Sequence, residues 1–265
     1  MANDAPVARP ASTVLLARDR AGSIEVFMMV RHHQIEFASG ALVFPGGSVD
    51  AGDRDIVADT AFYDNRDSVA SEALPFRVAA IRETFEESGI LLARRRGSDE
   101  LIGAAQAGEI AQKHRAALCS GEMSFRDVLA ADSLVLALDQ LVHYAHWITP
   151  VGLPKRFDTH FFLAKAPPEQ LGAHDGREST DSIWVSPREA VEGGANGRFK
   201  LPFPTTRNLI KLSRQNSVDA ALAEARRAPV VTVMPQITRE GDRPRLRIPA
   251  DAGYDGELFD MPPGG

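Results

Sequence analysis

One cysteine, Cys119, in 265 residues excludes an intramolecular disulfide framework and any thiolate metal cluster. A small apolar role suits it best. No apolar run reaches the roughly 18 residues that a membrane-spanning helix needs. Residues 1–10 also lack an apolar core of signal-peptide length and read as a disordered lead-in. The expectation is a soluble cytoplasmic protein with no membrane partner. A basic excess is missing too: the formal net charge is −6, which argues against a broad affinity for nucleic acid. There is no internal repeat and no long low-complexity tract. What the chain does have is bulk, 44% of it hydrophobic, enough for one large domain or one domain with extensions.

The stretch from Arg82 to Ile90 is the one that demands a chemical explanation. The spacing of Leu74, Val78, Ile81 and Phe85 predicts a helix over Leu74–Ser88, with Pro75 in its first turn and Gly89 just past its end. Glu83, Glu86 and Glu87 then stand at i, i+3 and i+4, on the face turned away from the apolar stripe. Like charges at that spacing cost about 0.2–0.5 kcal/mol per pair, and anions near a helix C-terminus oppose its dipole. Arg82, four residues before Glu86, offsets part of this. A solvated acidic face is the plain alternative. A bound hard cation, Mg²⁺ or Mn²⁺, is the reading in which clustered carboxylate oxygens have a use.

Around this helix the chain alternates. Ser12 to Ala17 and Ile24 to Val30 read as strands joined by a turn at Asp19–Gly22. A short strand then runs into Phe44-Pro45-Gly46-Gly47, a loop that can bring backbone groups close to a metal or a diphosphate. Residues 53–73 predict a loop with a short helix, and Arg94-Arg95-Arg96-Gly97 a solvated basic stop. Residues 98–138 predict two or three short helices. Strand character returns at Leu141–Ile148, Phe157–Ala164 and Ser182–Val185, and Ser186-Pro187 opens a helix. Two amphipathic helices follow near Thr205–Arg214 and Ser217–Arg226. Val230–Val233 and Arg245–Ile248 read as a closing β pair.

Gly47, Asp53 and the run Arg82-Glu83-Thr84-Phe85-Glu86-Glu87-Ser88-Gly89-Ile90 together resemble the Nudix hydrolase signature: a glycine, an acidic residue, then R-E-U-x-E-E-x-G-U. Thr84 fills a position that is usually aliphatic, and Asp53 stands where the family has glutamate. The stretch from Asp53 to Arg82 carries an insertion of 21 residues relative to the family pattern. An interrupted box of this kind resembles the subgroup that includes the mammalian peroxisomal coenzyme A diphosphatase. Gly40–Phe44, Phe76-Arg77, Trp147–Pro150 and Arg156–Phe162 fit that subgroup too.

The resemblance implies an α/β/α sandwich around a mixed β-sheet, with a Nudix domain over 11–200. Within it lie a box insertion at 54–74 and a helical insertion at about 98–138; a helical and β extension over 201–265 packs on the domain. It implies a metal-dependent hydrolase that cleaves a nucleoside diphosphate linked to another moiety, coenzyme A or acyl-coenzyme A among the candidates. ADP-ribose, NADH and dinucleoside polyphosphates are alternative substrates, and a non-catalytic nucleotide sensor is the alternative in another class. Carried over, Glu83, Glu86 and Glu87 would hold Mg²⁺ or Mn²⁺ with help from the Gly47 carbonyl, and Arg82 would orient the carboxylates. The general base would be a box glutamate or a glutamate of a later loop, for which Glu178 is the candidate. Arg31, with Gly46 and Gly47, matches part of the coenzyme A motif and would contact substrate. Glu36 occupies the place of that motif's second arginine, where a carboxylate repels a phosphate. Asp53 reads as structural, and Arg156 and Asp158 as a structural ion pair, with contact to substrate the alternative. Residues 98–138 and 201–265 are candidates for shaping the substrate pocket or a homodimer interface.

Overall fold

The computed structural model describes residues 6–31, 40–67, 69–170, 179–240 and 243–261. Strands β1 (Arg9–Arg20) and β2 (Ser23–Arg31) form a hairpin. Ala21 and Gly22 between them have φ of 50° and 78°, the two-residue turn whose twist matches its strands. Next come β3 (Leu42–Val43), β4 (Gly46–Ser48), α1 (Ala51–Val57), β5 (Tyr63–Asp64), α2 (Leu74–Ser88) and β6 (Ala93–Arg95). They are followed by α3 (Ala104–Ile110), α4 (Ala116–Ser120), α5 (Phe125–Ala131), β7 (Leu134–Ala137), β8 (Val142–Ile148), β9 (Phe157–Lys165) and β10 (Ser179–Val185). Last are α6 (Pro187–Ala195), α7 (Phe203–Leu212), α8 (Val218–Arg227), β11 (Thr232–Val233), β12 (Gln236–Glu240), β13 (Arg243–Arg247) and β14 (Leu258–Asp260).

The main sheet runs β10-β2-β1-β9-β8-β11, with β3 on β2 and β4 on β1. It is mixed: β1 pairs β9 and β8 pairs β11 in parallel, the others antiparallel. Side chains alternate across it with the period of two that a strand imposes. Val14, Leu16, Phe27, Met29 and Phe162 face the core beneath α2. Leu15, Val26, Met28, Phe161 and Leu163 face the opposite core, which Ala190, Leu209, Leu212 and Leu222 of α6–α8 complete. The result is the α/β/α sandwich expected from the sequence. Among the described residues no helix is long and apolar enough to cross a membrane.

Three expectations differ in detail. The Arg94–Arg96 tract is not a solvated stop: its first two residues belong to β6, which pairs with β7, while β5 pairs with β7 from the other side. Arg94 is buried at 4% exposure and makes a two-pronged bond to Asp139, at 2.6 and 2.8 Å. Val230–Val233 and Arg245–Ile248 do not pair with each other. β11 joins β8 in the main sheet, and β13 pairs with its near neighbours in sequence, β12 and β14. Nor do Arg156 and Asp158 form the ion pair considered for them, because Asp158 faces His146 across β8 and β9 while Arg156 donates to Thr149 O at 3.1 Å.

Candidate active site

Helix α2 spans the predicted residues, with Pro75 in its first turn. Gly89 has φ 74°, a left-handed conformation that a side chain opposes, and its N–H donates to Phe85 O at 2.8 Å. The apolar stripe is buried as expected, but Arg77, Arg82, Thr84, Glu87 and Ser88 are buried too. The helix is therefore wrapped on nearly every side. Thr84 meets that burial by donating to Ala80 O at 2.7 Å, so a hydroxyl can stand where the family has an aliphatic group.

The acidic face is turned onto β4. Glu87 Oε2 accepts the Gly46 N–H at 2.8 Å. Glu83 lies over Gly47 so closely that a Cβ on that glycine would be 2.5 Å from its carboxyl carbon. Gly46 has φ 154°, and a Cβ there would meet Ser12 O at 2.2 Å. Space therefore requires a glycine at 46, against backbone, while at 47 a side chain would displace the Glu83 carboxylate.

Arg82 sits at the centre of the cluster. Its Nε and Nη2 donate to the two carboxylate oxygens of Asp53 at 2.8 and 2.9 Å. Nη2 also donates to Ser48 O at 2.9 Å, while Nη1 donates to Glu83 at 3.0 Å and Glu86 at 3.2 Å. Burial works against this cation, yet Asp53, Glu83 and Glu86 outweigh it and hold its pKa above the ordinary arginine value. Burial pushes the Asp53 carboxyl up while Arg82 pulls it down. Asp53 is fully buried, and it also closes the capping box of α1 by accepting the Asp50 N–H at 2.9 Å. That double duty suits the structural role expected of it. Burial likewise raises Glu86, against the pull of Arg82.

The end of α2 has a partner that no local sequence pattern announces. Arg115, at the end of the π-helical stretch Ala111–Arg115 that joins α3 to α4, donates to Glu86 O at 2.8 Å, a cation at the negative end of the helix dipole. The chain after the helix is tied by Gln170, which accepts the Leu91 N–H at 2.9 Å and donates to Ile102 O at 3.0 Å. Beside this end lies a cleft of about 250 Å³, lined by Ser88, Ile90, Ala107, Arg115 and Gln170.

The structure brings together Arg82, Glu83, Glu86, Glu87, Gly46 and Gly47 of the residues singled out from sequence. Glu178 lies outside the described residues, as does the side chain of Arg31, whose backbone ends β2. Glu83 and Glu86 meet at Arg82 Nη1 while Glu87 is held apart by the Gly46 amide. Carboxylate oxygens are the donor type a hard divalent cation takes, but among the described residues three ligand atoms come within 4.8 Å of one another only at His146, Asp158 and His160.

Residues 55–212 match the family model of the NUDT19 Nudix domain. The chain is 27% identical over 211 residues to the putative nudix hydrolase 7 of Caenorhabditis elegans, covering 80% of this chain and 62% of that protein. It is 30% identical over 229 residues to the human acyl-coenzyme A diphosphatase NUDT19, covering 69% of this chain and 59% of that protein. The matched part thus spans about three fifths of the length of these relatives. A crystal structure of a NUDIX hydrolase from Alicyclobacillus acidocaldarius superposes with a TM-score of 0.69 at 28% identity, covering 82% of this chain and 96% of that one.

Proposed function

Because the chain belongs to the NUDT19 Nudix domain family of Nudix hydrolases, we propose that it hydrolyses the diphosphate bond of coenzyme A or an acyl-coenzyme A, using Mg²⁺ or Mn²⁺. The observation that carries this reading is the convergence of Glu83 and Glu87 on the two consecutive glycines of β4. Family membership and the acyl-coenzyme A diphosphatase activity named for the relatives in human, chicken and frog support the substrate class.

When bound, the metal would neutralise diphosphate charge and lower the pKa of a coordinated water. Glu83, Glu86 and Glu87 would hold it, with the Gly47 carbonyl as a further ligand. Arg82 is a positioning residue: its donors are committed to Asp53, Ser48 and the two glutamates, so it orients carboxylates and leaves the substrate to other groups. The Gly46 amide fixes the Glu87 carboxylate in the same way. A water oxygen attacks one phosphorus as the bridging P–O bond breaks, leaving one phosphate on each product.

The test is a panel of coenzyme A, acyl-coenzyme A, ADP-ribose, NADH and dinucleoside polyphosphates with Mg²⁺ and Mn²⁺, products identified by mass. Two phosphate-bearing products from the coenzyme A compounds are expected. Glu87→Gln should lower kcat by at least about 100-fold, since an oxygen ligand and its charge are lost. Unchanged turnover of that variant at saturating metal would refute the assignment, and binding without product across the whole panel would point to a sensor.

A further inference from the structure

Three histidines and an aspartate gather on the α2 side of the sheet, on strands that the glutamate cluster does not touch. His146 of β8 stands directly opposite His160 of β9, and Asp158 lies two residues from His160 on the same face. Ligand atoms of His146, Asp158 and His160 all lie within 4.8 Å of one another. The His146 and His160 rings stack with centroids 4.1 Å apart, and Phe76 of α2 packs on His160 at 4.2 Å. From this geometry we propose that His146, Asp158 and His160 form a binding site for a divalent transition metal of the Zn²⁺ class.

The surroundings of the two imidazoles support this. His146 Nδ1 is 2.8 Å from Thr232 Oγ1, and His160 Nδ1 is 3.1 Å from His143 Nε2. Metal-bound histidines commonly have the second ring nitrogen fixed by such a partner, which leaves Nε2 to the ion. His146 Nε2 now faces Asp158. The Thr232 hydroxyl can donate or accept, so the His146 proton can pass to Nδ1 when the ion takes Nε2, and no charge is stranded.

An ion about 2.1 Å from each ligand needs them about 3.4 Å apart, which small ring rotations supply. The His146 and Asp158 side chains are 16% and 34% exposed, which leaves a path for entry and room for water. Two nitrogens and one oxygen favour Zn²⁺ or Co²⁺ over Mg²⁺. His160 pairs with Ser12 and Ser12 with Gly47, so the two sites stand two strand spacings apart, about 10 Å. The ion would clip β8 to β9 under the first turn of α2, with β11 supplying the outer partner.

The proposal is independent of the hydrolase reading and can be tested apart from it. Metal-stripped full-length protein carrying Glu83→Gln and Glu87→Gln is titrated with Zn²⁺ by calorimetry and with Co²⁺ by visible absorption. One Zn²⁺ per chain is expected, undiminished by excess Mg²⁺. Asp158→Asn or His160→Gln should weaken it by at least about 100-fold, and Thr232→Val by about 10- to 100-fold. Thr232→Val keeps the size of the side chain and serves if the other variants fail to fold, its circular dichroism confirming the fold. Absence of Zn²⁺ binding in the Glu83→Gln/Glu87→Gln protein overturns the proposal, as does binding that Thr232→Val and Asp158→Asn leave unchanged.

Discussion

Gly47→Ala separates what the acidic face does from what holds it in place. A methyl at Gly47 would lie 2.5 Å from both Glu83 Cδ and Oε1, and 2.6 Å from Oε2. Ordinary contact begins near 3.5 Å, so the carboxylate must retreat by about 1 Å. Retreat strains its 3.0 Å bond to Arg82 and moves a proposed metal ligand off the strand. The obstacle is the end of a flexible side chain, so stability should fall by only about 1 kcal/mol or less. Positional errors of about 1 Å at a reacting centre cost about 100-fold, or about 2.7 kcal/mol of barrier. The expected result is a near-normal Tm, weakened Mn²⁺ binding by electron paramagnetic resonance, and kcat/KM reduced about 100-fold on the best substrate of the panel. Gly46→Ala is the contrast, since its methyl meets the Ser12 carbonyl at 2.2 Å and its φ is 154°, so it should lose the fold itself. A Gly47→Ala protein with wild-type kcat/KM and Mn²⁺ affinity would refute the placement of Glu83 as a metal ligand.

Two further outcomes concern buried ion pairs. Asp53→Asn leaves the Arg82 guanidinium, in a residue only 7% exposed, without its two-pronged partner, and should cost about 3 kcal/mol in urea unfolding; a change below about 0.5 kcal/mol would mean that Ser48 and the glutamates suffice. Burial raises the Asp139 carboxyl, but Arg94 and the Gln140 amide outweigh it and hold its pKa below the ordinary 3.8. The unfolded chain therefore takes up that proton first, so this stabilisation is complete above about pH 4 and is lost as pH falls through the native value. Acid unfolding followed by circular dichroism should show Asp139→Asn less stable than the parent near neutrality, with the gap closing at low pH. A constant gap would remove Asp139 from the account.

The sequence disclosed those parts of the molecule in which local pattern and final structure agree. The limits of α2 were legible because a first-turn proline, a four-residue apolar stripe and a terminal glycine all mark the same helix. The hairpin at Ala21–Gly22 and the capping box at Ser186 were legible for similar local reasons. Arg94 was misread because a run of three arginines looks solvated, and its burial is made tolerable by partners from elsewhere in the chain, chiefly the Asp139 carboxylate 45 residues away, with Asp64 and the Asp99 carbonyl. The pairing of β13 failed because short polar strands carry no register signal and take the partner that the chain brings back first. At the candidate site the charged positions were readable from spacing, whereas the Arg115 contact at the helix end was not. The histidine cluster escaped notice because His146 and His160 lie on different strands and meet only when β8 pairs with β9.

These differences bear on how an unfavourable helix end can persist. Three carboxylates in the last two turns of α2 cost about 1 kcal/mol as an isolated helix, from pair repulsion and the dipole together. None of the compensation is local except Arg82. The Gly46 amide comes from β4, Asp53 from α1 and Arg115 from the helical segment between α3 and α4. α2 is therefore held by the domain more than by its own propensity: β4 holds the Glu87 carboxylate directly, α1 holds Glu83 and Glu86 through Arg82, and Arg115 holds the helix backbone at Glu86. If the proposed site binds an ion, contacts of this kind order its ligands beforehand, so that less binding energy is spent on ordering them. The same coupling explains why Asp53, which we place outside the set that holds the ion, should matter to both stability and turnover: it fixes the arginine that fixes Glu83 and Glu86.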